Sequence, residues 1–162
     1  MTIDMVVNYD GWLADSAWSY GVGNLSETAS KLLDVTKKSL YIGIEKAVIG
    51  NRIGDISHAI QEYVESQGFS VVRDFVGHGI GKSMHEDPQV PHYGNPGRGI
   101  RLTEGMVITI EPMVNVGTFR LKVDDNEWTA RTLDGKLSAQ YEHTLAITKD
   151  GPLIITDQGK DR

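Results

Sequence analysis

The chain has 162 residues, enough for one domain with its own core, and its 40% hydrophobic and 23% charged residues are ordinary for a globular protein. A net charge of -6 leaves no basic surplus to neutralise phosphates, which argues against non-specific nucleic-acid binding. With no cysteine, disulfides and thiolate metal sites are excluded, and any metal must sit on His, Asp and Glu, a donor set suited to Co, Mn, Fe or Zn.

The opening MTIDMVVNYD lacks a basic start followed by a long apolar run, and no stretch approaches the roughly 18 apolar residues of a membrane span, so a cytoplasmic protein is expected. Residues 2–8 alternate in the β manner, and Asn8-Tyr9-Asp10-Gly11 is a turn signal before a second run, 12–22. With Tyr9-Asp10 as the central turn residues, Asp4 faces Asp15 directly; with Asp10-Gly11, which the turn chemistry prefers, the two are diagonal neighbours. In both registers they share a face, about 5 to 8 Å apart. Two carboxylates there repel unless a proton or cation lies between them. An odd-length loop would instead put them on opposite faces.

Ser26 is the expected N-cap of a first helix, with Glu27 in its first turn and Leu32, Leu33, Thr36, Leu40, Gly43, Ile44 and Ala47 at helical spacing until Gly50 stops it. A second helix is expected from an Asp55 cap to Gly68, a glycine placed to end it. Both read as cover for a sheet. Residues 69–75 form the next expected strand, leading into FVGHGIGKSMHEDP, where Gly77, Gly79 and Gly81 alternate with His78 and Ile80. Glycines at that spacing permit either close approach of another group or positive φ. His85 follows, beside Glu86 and Asp87, and the prolines and glycines from Pro88 to Gly105 then read as a loop.

Residues 106–114 are a strongly apolar strand with one anomaly, Glu111, which shares a side with Thr109 and Met113 while Ile108 and Ile110 face the other way. An ionised glutamate there is costly unless paired or coordinated. Strands are expected over 118–123, 128–132, 137–148 and 153–156, with Gln140, Glu142 and Thr144 on one side of the third, and a mobile tail over 157–162. His92 and His143 read as structural. Each anomaly alone has a plain structural explanation. Together, Asp4, Asp15, His78, Glu111 and Glu142 supply one imidazole and four carboxylates, the inventory expected of two divalent ions about 3.5 to 4 Å apart.

The blocks IDMVVNYDGWLADSAWSYGVG, FVGHGIGKSMHEDPQVPHY, EGMVITIEPMVNVG and WTARTLDGKLSAQYEHTLAIT resemble those of bacterial type I methionine aminopeptidases, within the wider creatinase and aminopeptidase fold. The resemblance covers most of the chain. It implies an α+β pita-bread fold, mainly its C-terminal half, with a curved antiparallel sheet covered by two helices. Residues 1–162 would be one catalytic domain lacking the usual N-terminal portion, and pairing with that portion, or self-association, would cover apolar sheet surface. The implied activity is release of N-terminal methionine from peptides and nascent chains by a hydroxide shared between two divalent ions, with no nucleic-acid or membrane partner. Asp4 would ligate one ion, Asp15 and Glu142 both, and His78 with Glu111 the other. His85 would contact the scissile amide, Glu111 would also shuttle a proton, and Met84 and Trp128 would line the pocket for the methionine side chain. Two other readings fit the same residues: a non-catalytic binding or assembly module of this fold, and a relative that cleaves Xaa-Pro bonds.

Overall fold

A computed structural model describes residues 1–157 and 159. Asp10 (φ 50°) and Gly11 (φ 77°) both take positive φ, as a two-residue hairpin turn demands, and join β1 (Thr2–Tyr9) to β2 (Trp12–Ser19). Val6 lies opposite Asp15 and Asp4 opposite Ala17, so the aspartates are diagonal neighbours on one face, the register that the Asp10-Gly11 turn favours. All of β1 is exposed, including Ile3, Met5, Val7 and Tyr9.

The helices are α1 (Glu27–Lys46) and α2 (Ile53–Ser66); among the described residues neither is long and apolar enough to cross a membrane. Ser26 caps α1 as expected, its Oγ accepting the Ala29 N–H at 3.2 Å. The helix stops at an Ala47 cap, short of Gly50, because the following residues pair elsewhere: the Gly50 N–H donates to Leu102 O and the Leu102 N–H to Asn51 O. Asp55 is not the cap of α2 but sits in its first turn, where its carboxylate reaches back to the N–H of Arg52, the capping residue, and also accepts the Gly97 N–H, both at 2.7 Å. Gly68 ends the helix with φ 85°.

The remaining elements are β3 (Ser70–Val71), β4 (Gly77–Gly79), β5 (Glu86–Val90), β6 (Val107–Ile110), β7 (Met113–Asn115), β8 (Leu121–Val123), β9 (Ala130–Thr132), β10 (Ser138–Gln140), β11 (His143–Thr148) and β12 (Gly151–Ile154). They form an antiparallel five-stranded sheet, ordered β12-β11-β6-β4-β5, a three-stranded sheet, β10-β7-β3, and a separate β8-β9 ribbon. Leu40, Ile44, Ile56, Ile60 and Val64 of the helices pack with Ile108, Ile110, Val114, Leu145 and Ile147 of the sheets in one core. Burying each such side chain contributes about 1.5–3 kcal/mol.

Four expectations about strands need correction. The strand over 69–75 shrinks to two residues, and part of the expected loop is strand β5, which tolerates Pro88 because it is the edge of its sheet. The long strands over 106–114 and 137–148 are each broken in two, and each crosses from one sheet to the other at its break. Pro112 has no N–H to offer a ladder, and the Glu111 N–H goes instead to His92 Nε2 at 3.0 Å. The tail expectation falls partly on residues 158 and 160–162, outside the described residues.

Close approach, not positive φ, explains the glycine run. A Cβ on Gly79 would lie 2.2 Å from the Asp87 carbonyl oxygen, and one on Gly77 2.6 Å from that of Thr109. Gly79→Ala is therefore expected to destabilise the fold by about 1–3 kcal/mol through overpacking, read as a lower urea midpoint. An unchanged midpoint would mean that β4 and β5 are not pressed together as described.

Candidate metal centre

The two strand breaks face each other. Ile110 pairs with His143 on one side of the gap and Met113 with Gln140 on the other, in one continuous register, so Glu111 lies opposite Glu142 at a step where the ladder is open. Strand β2 lies along the same run from a third direction. The Glu142 N–H donates to Ala17 O at 2.8 Å, and hydroxyls bridge the flanking positions: Thr144 Oγ1 accepts the Asp15 N–H and donates to Asp15 O, while Ser19 Oγ donates to Gln140 O. This seam brings Asp15 to Glu142. From the far side β4 delivers His78, whose N–H donates to Thr109 Oγ1 at 3.0 Å.

The result is a cleft of about 390 Å³ lined by Asp4, Asp15, His78, Met84, His85, Glu111 and Glu142, with Val6, Phe75, Val76, Met113 and Gln140 completing the walls. Asp15, His78 and Glu142, all buried, each offer a ligand atom within 4.8 Å of the others. His78 Nε2 is 3.5 Å from Glu111 Oε1, and the His78 and His85 rings meet edge to face at 4.4 Å. His78 Nδ1 is 2.9 Å from Gly79 O, an acceptor only, so Nδ1 carries the proton and the Nε2 lone pair is directed at the carboxylates. His92 and His143 do not line this cleft. Nor does Trp128: it is 88% exposed at the turn of the β8-β9 ribbon, where Asn126 Oδ1 accepts its N–H. Gln140, Phe75, Val76 and Met113 were not singled out beforehand as site residues, although Gln140 and Met113 share a strand side with the glutamates. A larger cavity of about 470 Å³, between the start of α2 and residues 87–100, contains none of the candidate ligands. The first amides of α2 are already bonded there to Ile100 O and Arg98 O, so they are not free to bind an anion.

The electrostatics of the cleft are those of a group of side chains that favours a cation. Burial, then the charge of Asp4, pushes Asp15 up to about 6. Burial raises Glu111 and Glu142 further, with the neighbouring carboxylates adding to the rise. Burial also lowers His78, which keeps its imidazole neutral, as a metal ligand must be. Asp15 Oδ1 and Glu142 Oε1 are buried with no hydrogen-bond partner. A divalent ion among these oxygens and the His78 nitrogen would neutralise the repulsion and complete both orphaned atoms, and the all-O/N donor set suits such an ion.

A carboxyl whose pKa is raised by folding stabilises the folded chain below its unfolded value, 4.5 for Glu142, and that contribution is lost as pH climbs towards the folded pKa. In chelator-treated protein, Glu142→Gln is expected to stabilise relative to the parent by an amount growing from about pH 5 to about pH 8, on the order of 1–3 kcal/mol at the higher pH. The same change should remove the stabilisation given by added Mn(II). Thermal unfolding at the two pH values checks this, and an equal gain at both would show that Glu142 is not held in a costly environment.

Residues 1–149 match metallopeptidase family M24. The chain is 57% identical over 156 residues to the methionine aminopeptidase of Clostridium acetobutylicum, covering 96% of this chain and 62% of that protein. It is 53% identical over 156 residues to methionine aminopeptidase 1 of Bacillus subtilis, covering 96% of this chain and 63% of that protein. The crystal structure of the methionine aminopeptidase of Thermotoga maritima superposes with a TM-score of 0.95 at 46% identity, over 97% of this chain and 63% of that one. The chain thus spans somewhat under two thirds of the length of these relatives. With its α+β pita-bread architecture and this match over nearly all its length, the chain belongs to metallopeptidase family M24.

Proposed function

We infer that residues 1–162 form a methionyl aminopeptidase catalytic unit that releases N-terminal methionine from peptides. The observation that carries this reading is the Asp15, His78 and Glu142 cluster, with two orphaned buried oxygens, opening into a cleft shared with Glu111 and His85. Two divalent ions, drawn from Co, Mn, Fe and Zn, would be held by Asp4 on one, His78 and Glu111 on the other, and Asp15 and Glu142 on both. When bound, such ions supply Lewis acidity to water and to a peptide carbonyl.

The chain's own residues do the rest. Glu111 is the proton carrier: burial raises its affinity for a proton, while the Thr109 hydroxyl donates to its Oε1 at 3.0 Å and the Gln140 amide approaches its Oε2 at 3.5 Å. His85, exposed at the cleft and seated against the His78 ring, is placed to donate to a carbonyl oxygen that gains negative charge. Met84, Phe75, Met113 and Val6 give the cleft an apolar wall for a methionine side chain, and the carboxylates attract a free α-amino group, which favours an exopeptidase. The exposed apolar strand β1 is the surface on which further polypeptide of the relatives' length, or a second copy of this chain, would pack.

Asp4 is exposed on that strand, and this favours a weaker hold on the ion it would ligate. Calorimetric titration with Mn(II), together with methionine release from a Met-Ala-Ser peptide, tests the proposal. Two ions and chelator-sensitive turnover are expected, with Glu111→Gln losing at least about 10²-fold in kcat. Near-normal turnover of that variant would remove Glu111 from its role. One weakly bound ion without turnover would instead identify a binding module, and preference for an Xaa-Pro peptide would change the substrate class.

A further inference from the structure

Four ligand candidates reach the cleft from two strands and two strand breaks, and two fully buried hydroxyls stand among them. Thr109 of β6 and Thr144 of β11 are 0% exposed and directly paired across the sheet. Thr144 Oγ1 accepts the Asp15 N–H at 2.9 Å and donates to Asp15 O at 2.8 Å. Thr109 Oγ1 accepts the His78 N–H and donates to Glu111 Oε1, both at 3.0 Å. The lateral order across the fold is therefore Asp15, Thr144, Thr109, His78. Each hydroxyl has one proton and spends it on one acceptor while accepting one amide, so the assignment is chemically complete. Neither of these amides has a ladder partner at that point, and each would be an unsatisfied buried donor without its threonine.

We propose that Thr109 and Thr144 act as one hydroxyl brace, the positioning residues that set the separation of Asp15 from His78 and the orientation of Glu111. This deepens the metallohydrolase reading and rests on it for its consequence, but the brace itself belongs to the chain alone. Both side chains are fully buried, so two roles compete: hydroxyl bonding and side-chain packing. Valine keeps the shape and removes the hydroxyl, whereas serine keeps the hydroxyl and removes the methyl.

The test uses Thr109→Val, Thr144→Val, Thr109→Ser and Thr144→Ser in the full chain. In chelator-treated protein, amide hydrogen exchange read by NMR should speed up at His78 in Thr109→Val and at Asp15 in Thr144→Val, and stay slow in both serine variants. In Co(II) titrations the valine variants should lose about 10- to 100-fold in affinity, with an altered visible spectrum of the bound ion, and the serine variants should keep both. Valine variants that retain slow exchange and parental affinity overturn the brace. Serine variants that lose as much as valine do so too, by assigning the effect to packing, and this arm decides the matter if a valine chain fails to fold. A parent chain that binds no Co(II) would defeat the metal reading, while the exchange data would still accept or reject the brace.

Discussion

Two glutamates face each other across an open step in an antiparallel strand pair, and most of the site's architecture follows from that placement. Like charges directly opposite on neighbouring strands are unfavourable, and burial makes each carboxylate costlier still. The fold does not remove the conflict; it surrounds it. His92 takes the Glu111 amide released by the broken ladder, Ala17 takes that of Glu142, and Thr109 donates to the Glu111 carboxylate. Among the cleft carboxylates, one buried oxygen each on Asp15 and Glu142 is left without a partner, and these two residues cluster with His78. Several buried carboxylates crowded into one cleft mark a functional site, because a sequence selected only for stability would place apolar residues there.

The surrounding structure is built to hold this point rigid. Helices α1 and α2 pack one face of the central strands through Ile108, Ile110 and Leu145, leaving the alternate positions Thr109, Glu111 and Thr144 to the other face. The hairpin that carries both aspartates is fastened at two places. Its inner strand is seamed to residues 140–144 by hydroxyls and one backbone bond, and near its turn the Leu13 N–H donates to Gly81 O at 2.9 Å while Lys82 lies 3.9 Å over the Trp12 ring. The second fastening ties the hairpin to the segment bearing Met84 and His85, so two sides of the cleft are joined directly.

What the sequence made legible were features with local causes. The hairpin register follows from the positive φ that Asp10 and Gly11 accept, and the start of α1 from the Ser26 hydroxyl. The side on which Glu111 and Glu142 project follows from a period of two, which survives the strand breaks. The breaks themselves were not legible, because an apolar run reads as one strand whether or not it changes sheets, and only tertiary partners such as His92 show where its hydrogen bonds go. Asp55 misled for a related reason: a carboxylate reaching back from the first turn carries the same sequence signal as one at the cap. Trp128 had no local signal at all. Its expected position came from resemblance, and among the described residues the β8 and β9 strands that flank it pair in sheet only with each other.

The ligand candidates are unequal in how firmly they are held, and this inequality has a direction. Asp15, His78, Glu111 and Glu142 are buried, and the backbone N–H of each donates to a hydroxyl, to the His92 ring or to a neighbouring strand. Asp4 stands on β1, which is exposed along its whole length and, among the described residues, pairs in sheet only with β2. A ligand on a strand with one neighbour loses more conformational freedom on binding an ion than one already packed, so an ion that depends on Asp4 starts from a larger entropic cost. In the proposed dinuclear reading the ion beside His78 and Glu111 is then the tighter of the two. In that reading, anything that covered the outer face of β1 would act on the second ion without touching it, because ordering that strand removes in advance the freedom that Asp4 must otherwise give up.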